Sequence, residues 1–307
     1  MGRYLVRRVL QFVPVFLGAT FLIFLLVFAI PGDPIRALAG DRPVSASTVQ
    51  ALREEYHLND PFLVRYGKYL TDLVRGDFGT DFRGRPVSAY FGERLPVTVK
   101  LALGAFVFEA VLGLLAGVLA GLRRSGYADN LVLVSTTAVI SIPIFVLGFV
   151  AQLLLGVKLG IFPVAGIRQG WFSYILPSMV LGSVSLAFVA RLTRTSLVEN
   201  LRSDYVRTAT AKGLARQRVV GLHALRNSLI PVVTFLGVDL GSLMGGAIIT
   251  ETIFNLPGIG RAVFEAVLRQ EGPVVVGIVT FLVLVYMASN LVVDVLYAVL
   301  DPRIRYG

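Results

Sequence analysis

Long apolar stretches constrain this chain more than any other feature of its sequence. The first, Val9–Ile30, contains no charged residue and follows a short arginine-rich start. As a helix it would be about 33 Å long, enough to cross a hydrocarbon core of about 30 Å. A signal peptide is the competing interpretation, because Ala37-Leu38-Ala39 has the form of a cleavage site. The stretch exceeds the signal-peptide core of about 7–15 residues, so a first transmembrane helix is favoured.

Five further stretches predict an all-α integral membrane protein with six spans. The chain is 55% hydrophobic and only 16% charged, whereas soluble domains carry about 25% charged residues. The later predicted spans are Lys100–Leu122, Leu131–Val157, Trp171–Ala190, Leu229–Thr250 and Val274–Leu300. Pro143 lies inside the third of the six spans and predicts a kink there.

Glycines repeat every four residues in two of the predicted spans. The second span carries Gly113, Gly117 and Gly121, and the fifth carries Gly237, Gly241 and Gly245. Such residues lie on one face of a helix and permit close contact with another helix.

Loop charges predict the orientation of the spans. Segment 31–95 balances nine basic residues with nine acidic ones, which suits an external loop, and Ser45–Tyr56 and Pro61–Arg75 predict short helices within it. Segment 191–228 is strongly basic, and short cationic loops stay in the cytoplasm. Three regions follow: residues 1–30, the external loop 31–95, and a five-helix core 96–307 with both chain ends cytoplasmic.

Composition also excludes several classes of protein. The net charge of +10 lies in loops between apolar spans, so it does not indicate a nucleic-acid partner. The chain has no Cys, hence no disulfide and no thiolate metal site. It has no Gly-x-x-x-x-Gly-Lys-Ser/Thr sequence, so any ATP that drives it must be bound by another polypeptide.

Segment 203–231 is the longest basic stretch between hydrophobic segments, and its centre consists of small residues. Gly213 can adopt a positive φ and end a short helix that begins at Ser203 or Asp204. A short cytoplasmic helix with a bare face suggests a docking element, whereas an ordinary cationic loop is the simpler interpretation of the composition alone.

The order of residues in this segment resembles the EAA loop of ABC importer permeases, which reads Glu-Ala-Ala, three residues, Gly, then Ile-x-Leu-Pro. Arg207-Thr208-Ala209 stands where Glu-Ala-Ala would, Gly213 fits the glycine, and Leu225 fits the leucine. His223 and Arg226 replace the isoleucine and proline. These departures are similar to the variant in dipeptide, oligopeptide and nickel permeases of the B-subunit type. Further matches are Pro31–Pro34, Glu251–Gly260 and Asp301–Tyr306.

The resemblance implies a type I ABC importer fold in the cytoplasmic membrane of a prokaryote. The implied partners are a second permease, two ATPase domains or subunits, an external solute-binding protein and the lipid bilayer. ATP and Mg²⁺ would be bound by the ATPases, so this chain would be neither an enzyme nor the holder of a cofactor. The implied substrates are short peptides, chiefly dipeptides, with oligopeptides, glutathione and nickel chelates still open.

The same resemblance makes the small-residue segment the expected contact with an ATPase, with Ala209 and Gly213 allowing the closest approach. The residues expected to couple this chain to an ATPase are Tyr205, Arg207, Thr208, Ala209, Ala211, Lys212, Gly213 and Leu225.

Three acids lie within predicted spans, namely Glu109, Asp239 and Asp294. A charge there costs on the order of 3 kcal/mol, so each is a functional candidate, although an acid that fixes helix packing is the commoner outcome. Asp239 lies between Gly237 and Gly241, and these three with Glu109 are the candidate residues of a translocation path. Asp294 is expected near the inner membrane surface.

Catalytic and metal sites are not predicted. His57 and His223 fall on opposite sides of the membrane, and neither belongs to a known metal or nucleophile motif. Two alternatives to an ABC permease remain at this stage: an ATP-independent channel or secondary transporter, and a structural membrane scaffold.

Overall fold

A computed structural model describes residues 2–28, 50 and 60–300 of the chain. The regular elements of these residues are helices, and the all-α prediction is confirmed for them. The predicted helix Ser45–Tyr56, apart from Gln50, and the tail Asp301–Tyr306 lie outside the described residues. The helices are α1 (Gly2–Phe28), α2 (Phe62–Val74), α3 (Ser88–Leu122), α4 (Tyr127–Ser141), α5 (Ile144–Lys158), α6 (Phe172–Asn200), α7 (Asp204–Ala211), α8 (Arg216–Ile253), α9 (Ile259–Leu268) and α10 (Gly272–Leu300).

Five of these helices, α1, α3, α6, α8 and α10, are long and apolar enough to cross a membrane. The pair α4 and α5 satisfies the same test together, which gives up to six spans. Six predicted stretches therefore coincide with five continuous helices and one broken pair.

The third predicted span is broken rather than kinked, and the two halves meet at 105°. Helix α4 ends at Ser141, and both Ile142 (φ −100°, ψ 127°) and Pro143 (φ −57°, ψ 140°) are extended. Proline disfavours helical backbone at the residue before it and cannot donate a backbone hydrogen bond. Both effects act at Ile142–Pro143, so the chain turns there.

Several predicted boundaries fall short of the observed helices, among them the start of α8, which lies at Arg216 rather than Leu229. Helix α3 starts at Ser88 rather than Lys100, and α6 continues through Arg191 and Arg194 to Asn200. Hydropathy marks only the part of a helix that lies in hydrocarbon, and both helices extend beyond it into polar surroundings. The basic segment between α6 and α8 is correspondingly shorter than segment 191–228.

The glycines of α3 pack directly on α6, as their spacing predicts. A Cβ atom at Gly117 would lie 2.5 Å from the carbonyl oxygen of Ala190, and one at Gly113 would lie 2.7 Å from Val189. Gly182 of α6 repeats the arrangement in reverse, because a Cβ there would lie 2.7 Å from the carbonyl oxygen of Ala105. Backbone contact along this interface makes α3 and α6 the central pair of the bundle.

Helix α2 lies across one end of the membrane helices. Pro61 precedes it and Gly76 follows it with φ +82°, as predicted for its ends. The Tyr66 hydroxyl lies 2.9 Å from that of Thr20 in α1, and the Tyr69 hydroxyl donates a 2.7 Å hydrogen bond to Thr280 in α10. Through these contacts, α2 caps one end of the membrane helices.

Candidate functional site

Helix α7 forms the centre of segment 203–231. Ser203 has extended backbone (φ −69°, ψ 154°) immediately before its first residue, and Gly213 has φ +78° just after its end. The left-handed conformation is open to glycine at little cost. The predicted start at Ser203 or Asp204 and the predicted stop at Gly213 are both confirmed.

One face of α7 packs against the permease itself. Val206 and Ala209 are buried beside Leu197 of α6 and beside Val219 and Ala224 at the start of α8. Ala209 is expected from the resemblance to make the closest contact with an ATPase. Only 6% of Ala209 is exposed, so its closest contacts are with the permease. Its small side chain lets α7 lie flat on its own bundle.

The opposite face of α7 is exposed and carries most of the residues expected to couple to an ATPase. Its Tyr205 hydroxyl donates to the side chain of Asn200, and the Thr208 hydroxyl donates to the carbonyl oxygen of Asp204. A Cβ atom at Gly213 would meet nothing within 4 Å. Leu225 is half-buried in a π-helical turn, Val219–Leu225, at the start of α8. The exposed members are Tyr205, Arg207, Thr208, Ala211, Lys212 and Gly213.

A buried ion pair fixes the helix from which α7 extends. Arg194 near the inner end of α6 donates two hydrogen bonds of 2.8 Å to the carboxylate of Asp129 in α4. The backbone N–H of Ser125 donates to the same carboxylate at 2.8 Å. Arg191 donates at 3.0 Å to Thr136, also in α4. Both arginines belong to the basic segment 191–228, whose composition predicts a loop, and Asp129 adjoins a span without lying in its apolar part. The sequence therefore does not reveal this contact.

Two of the candidate path residues meet inside the bundle. Glu109 of α3 is fully buried, and both of its carboxyl oxygens lack a well-formed hydrogen bond within the described residues. The Asp239 carboxyl of α8 and the Ser185 hydroxyl of α6 lie close enough to interact with it. Oδ2 of Asp239 is also buried without a hydrogen-bond partner among these residues. Three helices therefore converge on a pair of acids.

The other candidate path residues lie apart from this pair. A Cβ atom at Gly241 would lie 3.0 Å from the ring of Tyr286 in α10, so Gly241 serves a helix contact. Residues two apart on a helix differ by about 200° in direction, so Gly241 and Gly237 both lie on a different side of α8 from Asp239.

Asp294 and Glu251 are held by well-formed interactions. Arg8 of α1 donates two hydrogen bonds, of 2.5 and 3.1 Å, to the Asp294 carboxylate of α10. Glu251 is fully buried near the outer end of α8 and accepts from the Thr98 hydroxyl and from the backbone N–H of Arg261. Both acids join helices through these hydrogen bonds, which is the commoner outcome for acids in spans.

Metal and histidine sites are not formed by the described residues. They contain no group of three or more His, Asp or Glu side chains that could hold a metal ion. His223 is half-buried in the π-helical turn of α8, and His57 lies outside the described residues.

These features define a multi-pass helical membrane protein with a short surface helix joined to its central spans. Residues 113–306 match the family described as the binding-protein-dependent transport system inner membrane component, and residues 1–102 match the N-terminal region of such membrane components. The chain belongs to this family, and it has the type I fold of ABC importer transmembrane domains.

Curated relatives cover the whole chain. It is 36% identical over its full length to the dipeptide transport system permease protein of Alkalihalophilus pseudofirmus, all of which is matched. It is 40% identical to a putative peptide transport system permease protein of Brucella abortus and 38% identical to the glutathione transport system permease protein of Escherichia coli, again with both chains fully covered. The chain is thus an ABC permease of the peptide type.

A solved structure supports the same fold. An inward-facing conformation of the MetNI methionine ABC transporter matches 68% of this chain and 96% of its own, with a TM-score of 0.54 and 19% sequence identity. At that identity, the likeness concerns the fold alone.

Proposed function

We propose that this chain is the permease subunit of an ATP-driven importer of short peptides, and of dipeptides first. It would work with a second permease, two ATPase domains or subunits and an external solute-binding protein. ATP and Mg²⁺ would be bound by the ATPases, and this chain would hold no cofactor. Relatives named for dipeptide, peptide and glutathione transport support a peptide-like substrate.

The observation that carries the proposal is the two-sided character of α7. One face is packed on α6 and α8 through Val206 and Ala209, and the other presents Tyr205, Arg207 and Thr208 to the surroundings. A helix anchored in this way moves with its bundle and leaves its outer face for a partner. This placement supports a role for α7 as the element through which an ATPase acts.

The proposed cycle needs two arrangements of the bundle. ATP draws the two ATPases together, each docked α7 moves with its ATPase, and the spans open outward. Hydrolysis returns the bundle to the inward-open arrangement. ATP shifts this equilibrium only by its differential affinity for the two arrangements, so contact at α7 must differ between them.

The proposed orientation places α7 and both chain ends in the cytoplasm of a prokaryote. Exposed basic residues on and beside α7, such as Arg207, Lys212 and Arg216, support this assignment, since short cationic loops remain on the inner side. The external loop would then face the solute-binding protein, which would set most of the substrate selectivity.

Crosslinking tests this function directly, because the chain has no native Cys. We expect Thr208→Cys on the exposed face of α7 to crosslink to a Cys in the docking groove of the co-expressed ATPase, with a yield that changes when ATP binds. Ala209→Cys is the matched control. Ala209 is next to Thr208 in the chain but is buried against the permease, so this variant should give little crosslinked product. Equal yields from both positions, or none from Thr208→Cys in an assembled complex, would contradict docking through this face.

A further inference from the structure

The Glu109–Asp239 pair lies at the centre of the bundle. Glu109 is near the middle of the apolar stretch Lys100–Leu122, and Asp239 is near the middle of Leu229–Thr250. Val189, Val232 and other apolar residues pack close to this level of α3, α6 and α8. Both acids therefore sit at about the depth where a charged side chain is most costly.

Nothing in the described part of the chain neutralises this pair. The groups that act on the Glu109 carboxyl are Asp239 and Ser185, and neither is basic. The ion pairs formed within the described residues engage other acids, such as Asp129, Glu265 and Asp294. Two adjacent buried acids without a base share a proton or pair with a cation, so a positively charged ligand that reaches the pair can take the place of that proton.

The pair is open on one side. Glu109 is fully buried, whereas Asp239 is partly exposed. Ser242 and Gly246 follow Asp239 by three and seven residues on the same face of α8, and both are exposed. Small residues there leave room beside the carboxyl group. Ionisable side chains in membrane spans face a bundle interior or a water-filled cavity, so this side of α8 borders such a space and not the lipid.

The number of ligands favours an organic cation over a metal ion. Two carboxyl groups and the Ser185 hydroxyl provide fewer oxygen ligands than the about six to eight that Ca²⁺ takes. A primary ammonium group has three N–H donors, which two carboxyl groups and a hydroxyl can accept. Every peptide with a free N-terminus carries such a group, unless its first residue is proline.

We propose that the Glu109–Asp239 pair is a binding site in the translocation path for a primary ammonium group, the protonated N-terminal amine of the transported peptide. Asp239 contacts the amine from the open side, and Glu109 offers a second carboxyl group from behind, which shares a proton with Asp239 until the amine binds. The identity of the ligand as a peptide rests on the proposed function. The charge of the site rests only on the geometry of the pair.

Ser242→Cys provides a reporter on the open side of the site. The variant is assembled with its partner subunits but without the solute-binding protein, so that selection by that protein plays no part. The new Cys is modified with 2-aminoethyl methanethiosulfonate, a cation, or with the 2-sulfonatoethyl reagent, an anion. The mass of this chain reports the extent of reaction, and both rates are divided by those measured with 2-mercaptoethanol.

We expect the normalised rate of the cation to exceed that of the anion by about tenfold, since a site lined by one sign of charge concentrates the opposite ion. Alanyl-alanine at millimolar concentration should slow the modification, whereas N-acetyl-alanyl-alanine, which lacks the ammonium group, should not. Asp239→Asn and Glu109→Gln should each reduce the rate preference and remove the protection. Glu199→Gln removes an exposed acid at the inner end of α6 and should leave both unchanged.

Equal protection by the two dipeptides would overturn the assignment, and so would a cation preference without protection by either. Protection that persists in Asp239→Asn would also overturn it. ATP-dependent uptake of alanyl-alanine by the complete transporter is measured in parallel. If uptake is absent but protection still depends on the amine, the proposed function is contradicted and the ammonium site is supported.

Discussion

Glu251 joins helices α3, α8 and α9 through one carboxylate. Its Oε1 accepts the Thr98 hydroxyl of α3 at 2.5 Å, and its Oε2 accepts the backbone N–H of Arg261 at 2.8 Å, in the first turn of α9. The Thr98 hydroxyl oxygen in turn accepts the backbone N–H of Ile259 at 2.9 Å. A carboxylate at a helix N-terminus satisfies donors that have no partner within the helix.

Glu251→Ala is expected to destabilise the protein by about 1–3 kcal/mol or more, because it leaves buried donors without acceptors and opens a cavity. The measurement is the thermal unfolding midpoint of the detergent-solubilised protein. Glu251→Gln retains the shape and one acceptor and should lose less. Glu199→Gln, which changes an exposed acid of α6, is the control. An unfolding midpoint unchanged by Glu251→Ala would show that the contact contributes nothing to stability.

Asp81 organises the external turn between α2 and α3. Its carboxylate accepts the backbone N–H groups of Arg83 and Arg85, both at 2.9 Å, and the Tyr90 hydroxyl at 3.1 Å. Burial alone would raise the pKa of Asp81, but these hydrogen bonds outweigh it and hold the pKa below its ordinary value. The stability from Asp81 is therefore fully present above its unfolded pKa of about 3.9 and is lost as pH falls through the folded pKa.

Amide hydrogen exchange of residues 79–87 measures this turn. In the unmodified protein, protection should hold at neutral pH and decline only below about pH 4, as the pH falls towards the lowered pKa of folded Asp81. Asp81→Asn should show reduced protection already at neutral pH and little further change on acidification. Asp72→Asn in α2 should behave like the unmodified protein. A fall in protection at the same pH in Asp81→Asn would assign the acid sensitivity to another group.

Sequence alone could identify individual residues in this protein better than it could pair them. Glu109 and Asp239 stand out as acids in apolar stretches, but their contact depends on how α3 and α8 cross α6. Ala209 has the small side chain expected of a docking surface, yet its face of α7 is buried. A helix of eight residues shows too short a pattern of burial for the inner face to be recognised from composition.

At the scale of elements, the contact between α3 and α6 depends on glycine. Gly117→Val would place a Cβ atom 2.5 Å from the Ala190 carbonyl oxygen. Both atoms are attached directly to helix backbone, so the two helices have little freedom to relieve the clash. Overpacking of this kind costs typically about 1–3 kcal/mol, and occasionally more. We expect a lower unfolding midpoint and a lower yield of folded protein. Gly92→Ala lies on the same helix with nothing within 4 Å and should be neutral or slightly stabilising.

Gly213 ends α7 because of its backbone conformation and not because of its contacts. Its φ of +78° is unfavourable for other residues, although a Cβ atom there would meet nothing within 4 Å. Gly213→Val should cost roughly 1–2 kcal/mol locally and reorient α7 without unfolding the spans. Peptide-stimulated ATP hydrolysis in the assembled transporter should fall, whereas Gly221→Ala, at an open position with ordinary φ, should not affect it. Undiminished stimulation in Gly213→Val would contradict a coupling role.

The elements themselves follow from local sequence to different degrees. Apolar stretches located the five helices that are long and apolar enough to cross a membrane and the bent pair α4–α5, because length and hydropathy decide insertion. The ends of α3 and α6 were missed, since helix outside hydrocarbon is stabilised by packing and ion pairs that hydropathy does not register. The break at Ile142–Pro143 was predicted in position but not in size, because the 105° angle depends on what each half packs against.

At the scale of the whole molecule, the Arg194–Asp129 ion pair connects the α7 end of the bundle to the broken span. Helix α6 ends three residues before α7 begins, with only Leu201, Arg202 and Ser203 between them. Two hydrogen bonds of 2.8 Å hold Arg194 to α4. A rigid link of this kind would transmit a displacement of α7 to α4, because packed elements move together between discrete arrangements.

Removing one partner of this pair should therefore affect both stability and transport. Asp129→Ala leaves the Arg194 guanidinium partly buried and unpaired. Removing one partner of a buried ion pair lowers the free energy of unfolding by on the order of 3–5 kcal/mol. Asp129→Asn keeps the shape and part of the hydrogen bonding, so it should fold better while still weakening the link. If the pair transmits motion, Asp129→Asn should lower the peptide transported per ATP hydrolysed in proteoliposomes. A variant with reduced stability but an unchanged ratio of transport to hydrolysis would limit the pair to a structural role, because loss of folded protein reduces both rates equally.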